Sequence, residues 1–219
     1  MREYLAVLQN CPLFSGISAD ELLSLTACLG GKTITAEKGQ PIFREGDPAR
    51  WVGVVLSGQV QVVSEDYYGS RHILAHIGPG GLFGEAFACA EVDALPVSVT
   101  AVSPARVLLL DCSRIIHTCS SACSFHSRML FNLLKVMATK NLVFHQKLQV
   151  LSQRTTREKL MTYLMAQAKA RGSSTFSVPF DRQALADYLG VDRSGLSSEI
   201  GKLKKEGVLE CTRSTFRLL

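Results

Sequence analysis

The sequence predicts an α+β protein with an N-terminal β-roll, a long central helix and a C-terminal helix–turn–helix followed by a hairpin. Three observations lead to this fold class. Residues 33–111 alternate short apolar runs with glycine, proline and aspartate, which is typical of an all-β roll or sandwich. Residues 113–171 contain neither proline nor glycine, which indicates helix. Residues 175–219 hold two short amphipathic segments separated by Gly190 and followed by two short apolar runs.

Composition places the chain among ordinary globular proteins. Of 219 residues, 47% are hydrophobic and 20% are charged, so a packed core is expected. The apolar runs are much shorter than the roughly 20 residues that span a bilayer, and the N-terminus lacks the apolar region of a secretory signal. We therefore expect a cytoplasmic protein without a membrane partner. Its seven scattered cysteines, without a CxxC pair, indicate free thiols.

The net charge of +5 lies entirely in the last third of the chain. Residues 1–151 carry twelve basic and twelve acidic side chains, whereas residues 152–219 carry twelve basic and seven acidic ones. A basic segment beside a neutral body favours a polyanionic partner for that segment, and a solubilising basic surface is the alternative.

The roll is predicted from its strands in chain order. Two short helices come first, and Ser18 with Glu21 forms a capping-box pattern at the start of the second. The strand candidates are WVGVVL, QVQVV, HILAHI, PVSVTAV and RVLLL, separated by turn residues. The glycine-rich run GPGGLFGEAFA indicates a loop that enters a short helical turn.

The central helix carries a heptad seam, which predicts self-association. Spacings of alternately four and three residues define its members: Leu130, Leu134, Met137, Asn141, Phe144, Leu148 and Leu151. A buried asparagine at an a position favours a parallel pair in fixed register. A neighbouring stripe of Met129, Leu133, Val136 and Val143 can pack on the roll. An ordinary buried helix in a monomer is the alternative.

A further helix is expected at Gln153–Arg171, followed by a linker at Gly172. The predicted domains are therefore a sensor roll at 1–112, a dimerisation helix with its lead-in at 113–151, and a C-terminal domain at 152–219.

The C-terminal segment predicts a winged helix. Asp181 can cap a helix at Arg182–Leu189, and Gly190 supplies a left-handed turn. Asp192 can cap a second helix that runs to about Lys205. The runs VLECT and TFRLL can then pair as a hairpin through Arg213 and Ser214.

Polar and basic side chains remain on the outer surface of this unit, which predicts a DNA-binding face. Residues near the start of a recognition helix meet base edges, and lysines farther along meet phosphates. The candidates are Arg193, Ser194, Ser197, Ser198, Lys202, Lys204, Lys205, Arg182 and Arg213. A winged helix that contacts protein is the alternative.

These pieces together resemble the cAMP receptor protein/FNR (Crp/Fnr) family over the whole chain. The matching motifs, in family order, are ISADELLSL, IFREGD, VGVVLSGQVQVV, GPGGLFGE, PVSVTA, the heptad helix and ADYLGVDRSGLSSEIGKLKKEG. The resemblance implies a double-stranded β-helix like the jelly roll of cyclic-nucleotide-binding domains. It also implies a non-enzymatic homodimer on two-fold-symmetric double-stranded DNA, allosteric control of transcription, and RNA polymerase as a partner.

The effector pocket implied by the resemblance comprises Gly84, Glu85, Ala86, Leu95, Pro96 and Val97. Family members that bind cAMP pair a Gly-Glu with an Arg-Ser about ten residues later, and the arginine holds the cyclic phosphate. Here Leu95 and Pro96 stand in place of Arg-Ser. Because a phosphate would lack its charge partner, we expect an unknown small-molecule effector other than cAMP.

Metal cofactors known in the family are not expected. Only Cys11 and Cys28 lie near the N-terminus, which is too few for an iron–sulfur cluster, and His72 and His76 lack a convincing second axial ligand for haem. Cys119 and Cys123 are the candidates for a thiophilic metal or a redox pair, with Cys112, His117 and His126 nearby. Buried apolar cysteines are the alternative.

Two other functions are considered beside an effector-gated regulator. One is a constitutive DNA-binding regulator whose roll is purely structural. The other is a metal-dependent β-roll enzyme, which needs three protein ligands where His72 and His76 supply only two.

Overall fold

The protein is described here from a computed structural model that covers residues 2–65, 67–68, 71–117 and 124–219. The chain forms two compact units, Met1–Ala138 and Thr139–Leu219, called unit 1 and unit 2 below. The boundary between them lies within the longest helix.

Unit 1 contains eight described strands and five described helices, the last of which continues into unit 2. The strands are β1 (Lys32–Ala36), β2 (Pro41–Phe43), β3 (Trp51–Ser57), β4 (Val60–Glu65), β5 (Arg71–Ile77), β6 (Leu82–Phe83), β7 (Ser98–Ala101) and β8 (Ala105–Asp111). The helices are α1 (Leu5–Asn10), α2 (Ala19–Cys28), α3 (Glu85–Cys89), α4 (Cys112–Ile116) and α5 (Ser124–Leu151), with 3₁₀ turns at Arg2–Tyr4 and Pro12–Phe14.

The strands form two four-stranded antiparallel sheets, in the orders β1-β8-β3-β6 and β2-β7-β4-β5. The predicted roll is therefore confirmed. The capping box before α2 is also present, because the Ser18 N–H donates to Glu21 Oε2 at 2.9 Å and the Glu21 N–H donates to Ser18 Oγ at 3.4 Å.

The central strands β3 and β8 of the first sheet are buried on both faces, which explains their continuous apolar runs. Val54 of β3 belongs to a core shared with the helices, while its neighbour Val55 belongs to a second core inside the roll. Leu108 and Leu109 of β8 divide between the two cores in the same way. Side chains alternate across a strand, so a sheet covered on both faces requires apolar residues at every position.

The N-terminal part of α5 packs on the roll. Met129, Leu133 and Val136 are buried in the helix-side core, as predicted for the stripe beside the seam. Val143, predicted on the same stripe, is instead 57% exposed. The C-terminal end of α5 contributes Val150 to the core of unit 2.

The helical region that the sequence predicts over 113–171 is interrupted. α4 ends at Ile116, and the backbone of the next residue, His117, is extended. The next described helix is α5, and α6 follows at Thr156–Arg171 rather than at Gln153. Thr155 and Glu158 form a capping box that fixes this later start. Such a cap can interrupt a helix without proline, because its side chains bond to backbone groups in place of the helical carbonyls.

Unit 2 confirms the predicted winged helix. After α6 it contains β9 (Thr175–Ser177), α7 (Arg182–Leu189), α8 (Arg193–Lys205), β10 (Leu209–Thr212) and β11 (Thr215–Leu218). The three strands pair antiparallel in the order β10-β11-β9. Leu185, Ala186, Leu196 and Leu203 of α7 and α8 are buried at 0–1% exposure, and fully buried Ala186 is small enough to let the two helices approach.

Candidate nucleic-acid interface

The two helices of the candidate interface begin and end where short polar residues and glycine direct them. Asp181 caps α7 by accepting the Ala184 N–H at 2.8 Å, and Asp192 caps α8 by accepting the Gly195 N–H at 2.9 Å. Gly190 ends α7 with a φ of 59°, in the left-handed region that glycine adopts at little cost. These local signals fix the angle at which α8 leaves the turn.

The outer face of α8 is polar and exposed. Leu196, Ile200 and Leu203 are buried on its inner side. The candidates on the exposed side are Arg193, Ser194, Ser197, Ser198, Lys202 and Lys205. The predicted DNA-facing residues of this helix are thus all exposed, and Lys204, which is also exposed, lies beside the hairpin.

The exposed side chains of α8 differ in whether they form hydrogen bonds or ion pairs with other groups of the protein. Ser194 donates its hydroxyl hydrogen bond to Asp192, so it supports the helix cap. Lys202 lies 3.3 Å from Glu199 in an exposed i,i+3 ion pair. Within the described part of the chain, Arg193 and Lys205 form no ion pair with a carboxylate, which leaves their charges available to an external anion.

Lys204 lies on the side of α8 that faces the hairpin. Its ammonium group donates to the Cys211 carbonyl at 3.4 Å. Sequence reasoning grouped Lys204 with Lys202 and Lys205. Its association with the wing instead depends on how β10 folds back along α8.

Arg182 and Arg213 line a common cleft of about 440 Å³ at the start of α7, together with Pro179, Phe180 and Ser214. The Arg182 guanidinium lies 3.5 Å from Cys211 Sγ and 6.0 Å from the centre of the Phe216 ring, so β10 and β11 hold its position. The positive end of the α7 dipole points into the same region. Asp181, which caps α7, also lines the cleft, so two arginines and one carboxylate lie here and leave a net positive charge.

A group of ion pairs that links α6 to the C-terminal end of α8 was not predicted from the sequence. Arg157 of α6 donates to Glu206 at 3.1 Å through Nη1 and lies 3.7 Å from Glu199. The hydrogen bond from Arg157 lowers the pKa of the Glu206 carboxyl. These residues are far apart in the chain, and no local signal pairs them, so only the packed helices reveal that α6 supports α8.

Within unit 1, the candidate effector residues Gly84 and Glu85 form the start of α3. Gly84 has a φ of 78°, and a Cβ there would lie 2.8 Å from the Trp51 carbonyl oxygen. Both the backbone conformation and the space therefore require glycine, independently of any ligand. Glu85 is only 3% exposed.

The other candidate effector residues divide between the core and the surface. Leu95 and Val97 are buried, whereas Ala86 and Pro96 are exposed. The Leu95 N–H donates to the Asp47 carbonyl at 2.8 Å, and Pro96 has no N–H. The position where cAMP-binding relatives hold the phosphate therefore offers no free backbone donor at these two residues.

The seam of α5 presents large apolar side chains to solvent. Leu134 is 65% exposed, Phe144 62%, Leu148 47% and Leu151 38%, and Asn141 is also exposed. Leu130 and Met137 are half-buried. Together with Leu134, they line a groove of about 600 Å³ next to Cys89 and Ile116.

The candidate metal ligands are only partly described. Cys119 and Cys123 lie outside the described residues, as does the side chain of His72. His76 is exposed, and buried His126 bonds through Nε2 to the Ile115 carbonyl at 3.1 Å. Among the described residues, no cluster of three histidine, cysteine or acidic side chains could hold a metal. The thiol next to Cys112 is Cys89, at 3.6 Å.

Two family models match the chain, one within each unit. Residues 33–121 match the family model of the cyclic nucleotide-binding domain, and residues 158–219 match that of the Crp-like helix-turn-helix domain. The chain belongs to the Crp/Fnr family of transcription regulators. This Crp/Fnr protein is therefore a DNA-binding regulator, and its family consists of regulators, not of enzymes.

Individual relatives of this Crp/Fnr protein are distant. It is 25% identical over 188 residues to the transcriptional activator protein FnrA of Stutzerimonas stutzeri. That alignment covers 84% of this chain and 75% of FnrA. It is 25% identical over 217 residues to the nitrogen fixation regulation protein FixK of Azorhizobium caulinodans, with coverage of 93% and 82%.

Among solved structures, the catabolite activator protein of Thermus thermophilus aligns with a TM-score of 0.55 at 24% identity. The alignment covers 95% of this chain and 93% of that protein, and it supports the fold alone. None of the helices in the described ranges is both long and apolar enough to cross a lipid bilayer.

Proposed function

We propose that this regulator acts as a homodimer on a two-fold-symmetric duplex site, where α8 of each protomer enters the major groove. It acts on transcription together with RNA polymerase, in the cytoplasm where the DNA lies. Its affinity for DNA is gated by a small-molecule effector, other than cAMP, that binds in the roll.

The observation that carries this proposal is the presence of cations on three elements of unit 2. Arg193 and Lys205 lie exposed on α8, Arg182 starts α7, and Arg213 lies in the hairpin turn. A recognition helix in a major groove needs flanking contacts to phosphates on either side, and these fix its register. The cleft shared by Arg182 and Arg213 supplies such a contact.

Roles along α8 follow from distance to its N-terminus. Arg193, in the first turn, is assigned to base edges, where a guanidinium bonds bidentately to guanine. Ser197 and Ser198, one turn later, carry short hydroxyls suited to bases or phosphates. Lys205, three turns along, is assigned to the backbone phosphates.

The dimer is supported by the exposed apolar seam of α5. Leu134 and Phe144 are each more than 60% exposed and belong to the same heptad series. Leaving such side chains in water costs roughly 1.5–3 kcal/mol each relative to burial. A second copy of the same helix would cover them.

The exclusion of cAMP rests on missing donors. The Leu95 N–H is already bonded to Asp47, and Pro96 contributes none. Because Leu95 belongs to the core inside the roll, a second candidate remains: a constitutive regulator with a purely structural roll. A ligand screen by thermal shift, repeated with target DNA present, separates the two, since a gating ligand must change DNA affinity.

The test of the main proposal is selection from randomised duplexes with the full chain. We expect the bound sequences to contain two inverted half-sites with centres about 10 base pairs apart. The bound complex should contain two chains per duplex, which sedimentation measures. Enrichment of a single unsymmetrical half-site by one chain would contradict the dimer. No enrichment at low salt, with every ligand from the thermal-shift screen supplied, would contradict sequence-specific binding.

A further inference from the structure

Two thiols of unit 1 lie side by side at the junction of two short helices. Cys89 is the last residue of α3 and Cys112 is the first residue of α4, 23 positions later. Their sulfur atoms are 3.6 Å apart. A disulfide needs a separation of about 2.05 Å, so a shift of roughly 1.5 Å would join them.

We propose that Cys89 and Cys112 form a reversible dithiol–disulfide site whose oxidising substrate is a hydroperoxide. The Cys89 thiolate attacks the terminal peroxide oxygen, the O–O bond breaks, and water or an alcohol leaves after protonation. The resulting Cys89 sulfenic acid is attacked by the Cys112 sulfur, which loses its proton as a second water departs. One peroxide is thus reduced by two electrons while two thiols become one disulfide.

The accessibility of the two thiols to a peroxide determines which of them reacts first. Cys89 is half-buried and lines the open groove of about 600 Å³ beside Ile116 and Met137. Cys112 is only 2% exposed, although it borders a smaller cleft of about 240 Å³ with Arg50 and Glu91. A peroxide therefore reaches Cys89 first, and Cys112 lies where it can attack the oxidised sulfur.

The electrostatics of the pair agree with that order. The hydrogen bond from Cys112 lowers the pKa of Cys89, against the effects of burial and of the nearby Glu85. The same contact and burial raise the pKa of Cys112. Of the two thiols, Cys89 therefore loses its proton more readily, and the thiolate is the form that attacks a peroxide. Burial instead raises the pKa of Cys11 to about 11, which makes that isolated thiol unreactive.

The backbone around Cys112 is held firmly. Its N–H donates to the Arg50 carbonyl at 3.0 Å, and the preceding Asp111 accepts from Arg50 Nε at 3.0 Å and from the Ser113 hydroxyl at 2.8 Å. Burial alone would raise the pKa of Asp111, but these hydrogen bonds outweigh it and keep the pKa low. Closure of the sulfur–sulfur gap therefore falls mainly to Cys89, at the end of five-residue α3.

The test uses the full chain, reduced with a dithiol and then treated with one equivalent of hydrogen peroxide or cumene hydroperoxide. After alkylation with N-ethylmaleimide, trypsin places Cys89 alone in peptide 72–106 and Cys112 alone in peptide 107–114. We expect these two peptides to be joined, with a mass lower by two hydrogen atoms, and separated again by dithiol. Cross-linking of either peptide to peptide 115–128, which holds Cys119 and Cys123, or no cross-link at all, would overturn the proposal.

Variants separate the two roles. In Cys112→Ser, oxidation should stop at a Cys89 sulfenic acid that dimedone traps. In Cys89→Ser, peroxide consumption should fall at least about tenfold, since the low-pKa thiolate is lost. Cys28→Ser removes an exposed thiol elsewhere in unit 1 and should match the parent. Equal consumption by the parent and Cys89→Ser would contradict the assignment.

A readout without substitution guards against misfolded variants. In the parent, alkylation of Cys89 should remain fast at a pH where that of Cys11 is slow, which peptide mapping measures. Equal rates for the two would count against a reactive Cys89. None of these measurements involves DNA or an effector, so failure of the dithiol site and failure of the proposed DNA binding are distinguishable.

Discussion

The helices α5 and α8 each bury one face and expose another, and what they expose differs in kind. α5 presents Leu134, Phe144 and Leu148 to solvent, whereas α8 presents Arg193, Ser197 and Lys205. An exposed apolar stripe is costly in water and is stabilised only by another apolar surface. An exposed cationic stripe is stable in water and gains energy only from an anion. The two helices are therefore suited to different partners, a protein and a nucleic acid.

The largest expected effect concerns the apolar stripe. Phe144→Glu places a carboxylate in the seam of both protomers, so each copy repels the other and loses an aromatic contact. We expect the dimer dissociation constant to rise at least about 100-fold, as measured by sedimentation. DNA affinity should fall as the dimer dissociates, because the contacts to the two half-sites are then no longer linked.

Gln146→Glu is the matched control for that change. Gln146 is exposed on the opposite side of α5, so the Gln146→Glu variant adds the same negative charge outside the seam. An equal loss of dimer in both variants would mean that net charge, rather than the stripe, controls association.

The next effect concerns the cationic stripe of α8. Arg193→Ala should reduce discrimination at one base pair of each half-site by about 1–3 kcal/mol, a loss of roughly 5- to 150-fold. Binding to random duplex should change much less, which anisotropy titrations with target and random duplexes measure. Lys169→Ala, which removes an exposed charge from α6, serves as control and should leave both affinities unchanged. If Arg193→Ala keeps the parent's preference, this arginine does not read bases.

The sequence predicts the helices of unit 2 closely, because their limits are set by local chemistry. Asp181, Gly190 and Asp192 each act on the backbone within three residues, and the observed spans Arg182–Leu189 and Arg193–Lys205 agree with the prediction. Features that depend on distant parts of the chain are harder to predict. The bond from Lys204 to the Cys211 carbonyl requires the hairpin to fold against α8.

Unit 1 shows the same division between local and distant signals. The short apolar runs of β3 and β8 predict strands, but they do not show that Cys89 and Cys112 meet across 23 residues. The sequence directed attention instead to Cys119 and Cys123, which are close in the chain. Proximity in sequence is a poor guide in a roll, where the sheets bring distant turns together.

A smaller effect separates the two kinds of cation on α8. Lys205→Ala should lower affinity for target and random duplexes alike, because a phosphate contact carries no base information. The slope of log K against log salt should become shallower by about one, since one fewer counterion is released. Titrations at several salt concentrations measure this slope. A loss of specificity without a change in slope would move Lys205 from the phosphates to the bases.

The smallest effect concerns the turn of the wing, where charge and backbone conformation oppose each other. Arg213 has a φ of 53°, a left-handed conformation that is unfavourable for a residue with a side chain and favourable for glycine. Arg213→Gly should therefore raise the stability of unit 2 by about 0.5–1 kcal/mol while weakening DNA binding severalfold. Arg213→Lys should do neither, because it keeps both the charge and the unfavourable conformation. Chemical denaturation and anisotropy on the same samples measure the two quantities. If Arg213→Gly gains stability and keeps full affinity, the turn arginine makes no DNA contact, and the phosphate site reduces to Arg182 at the start of α7.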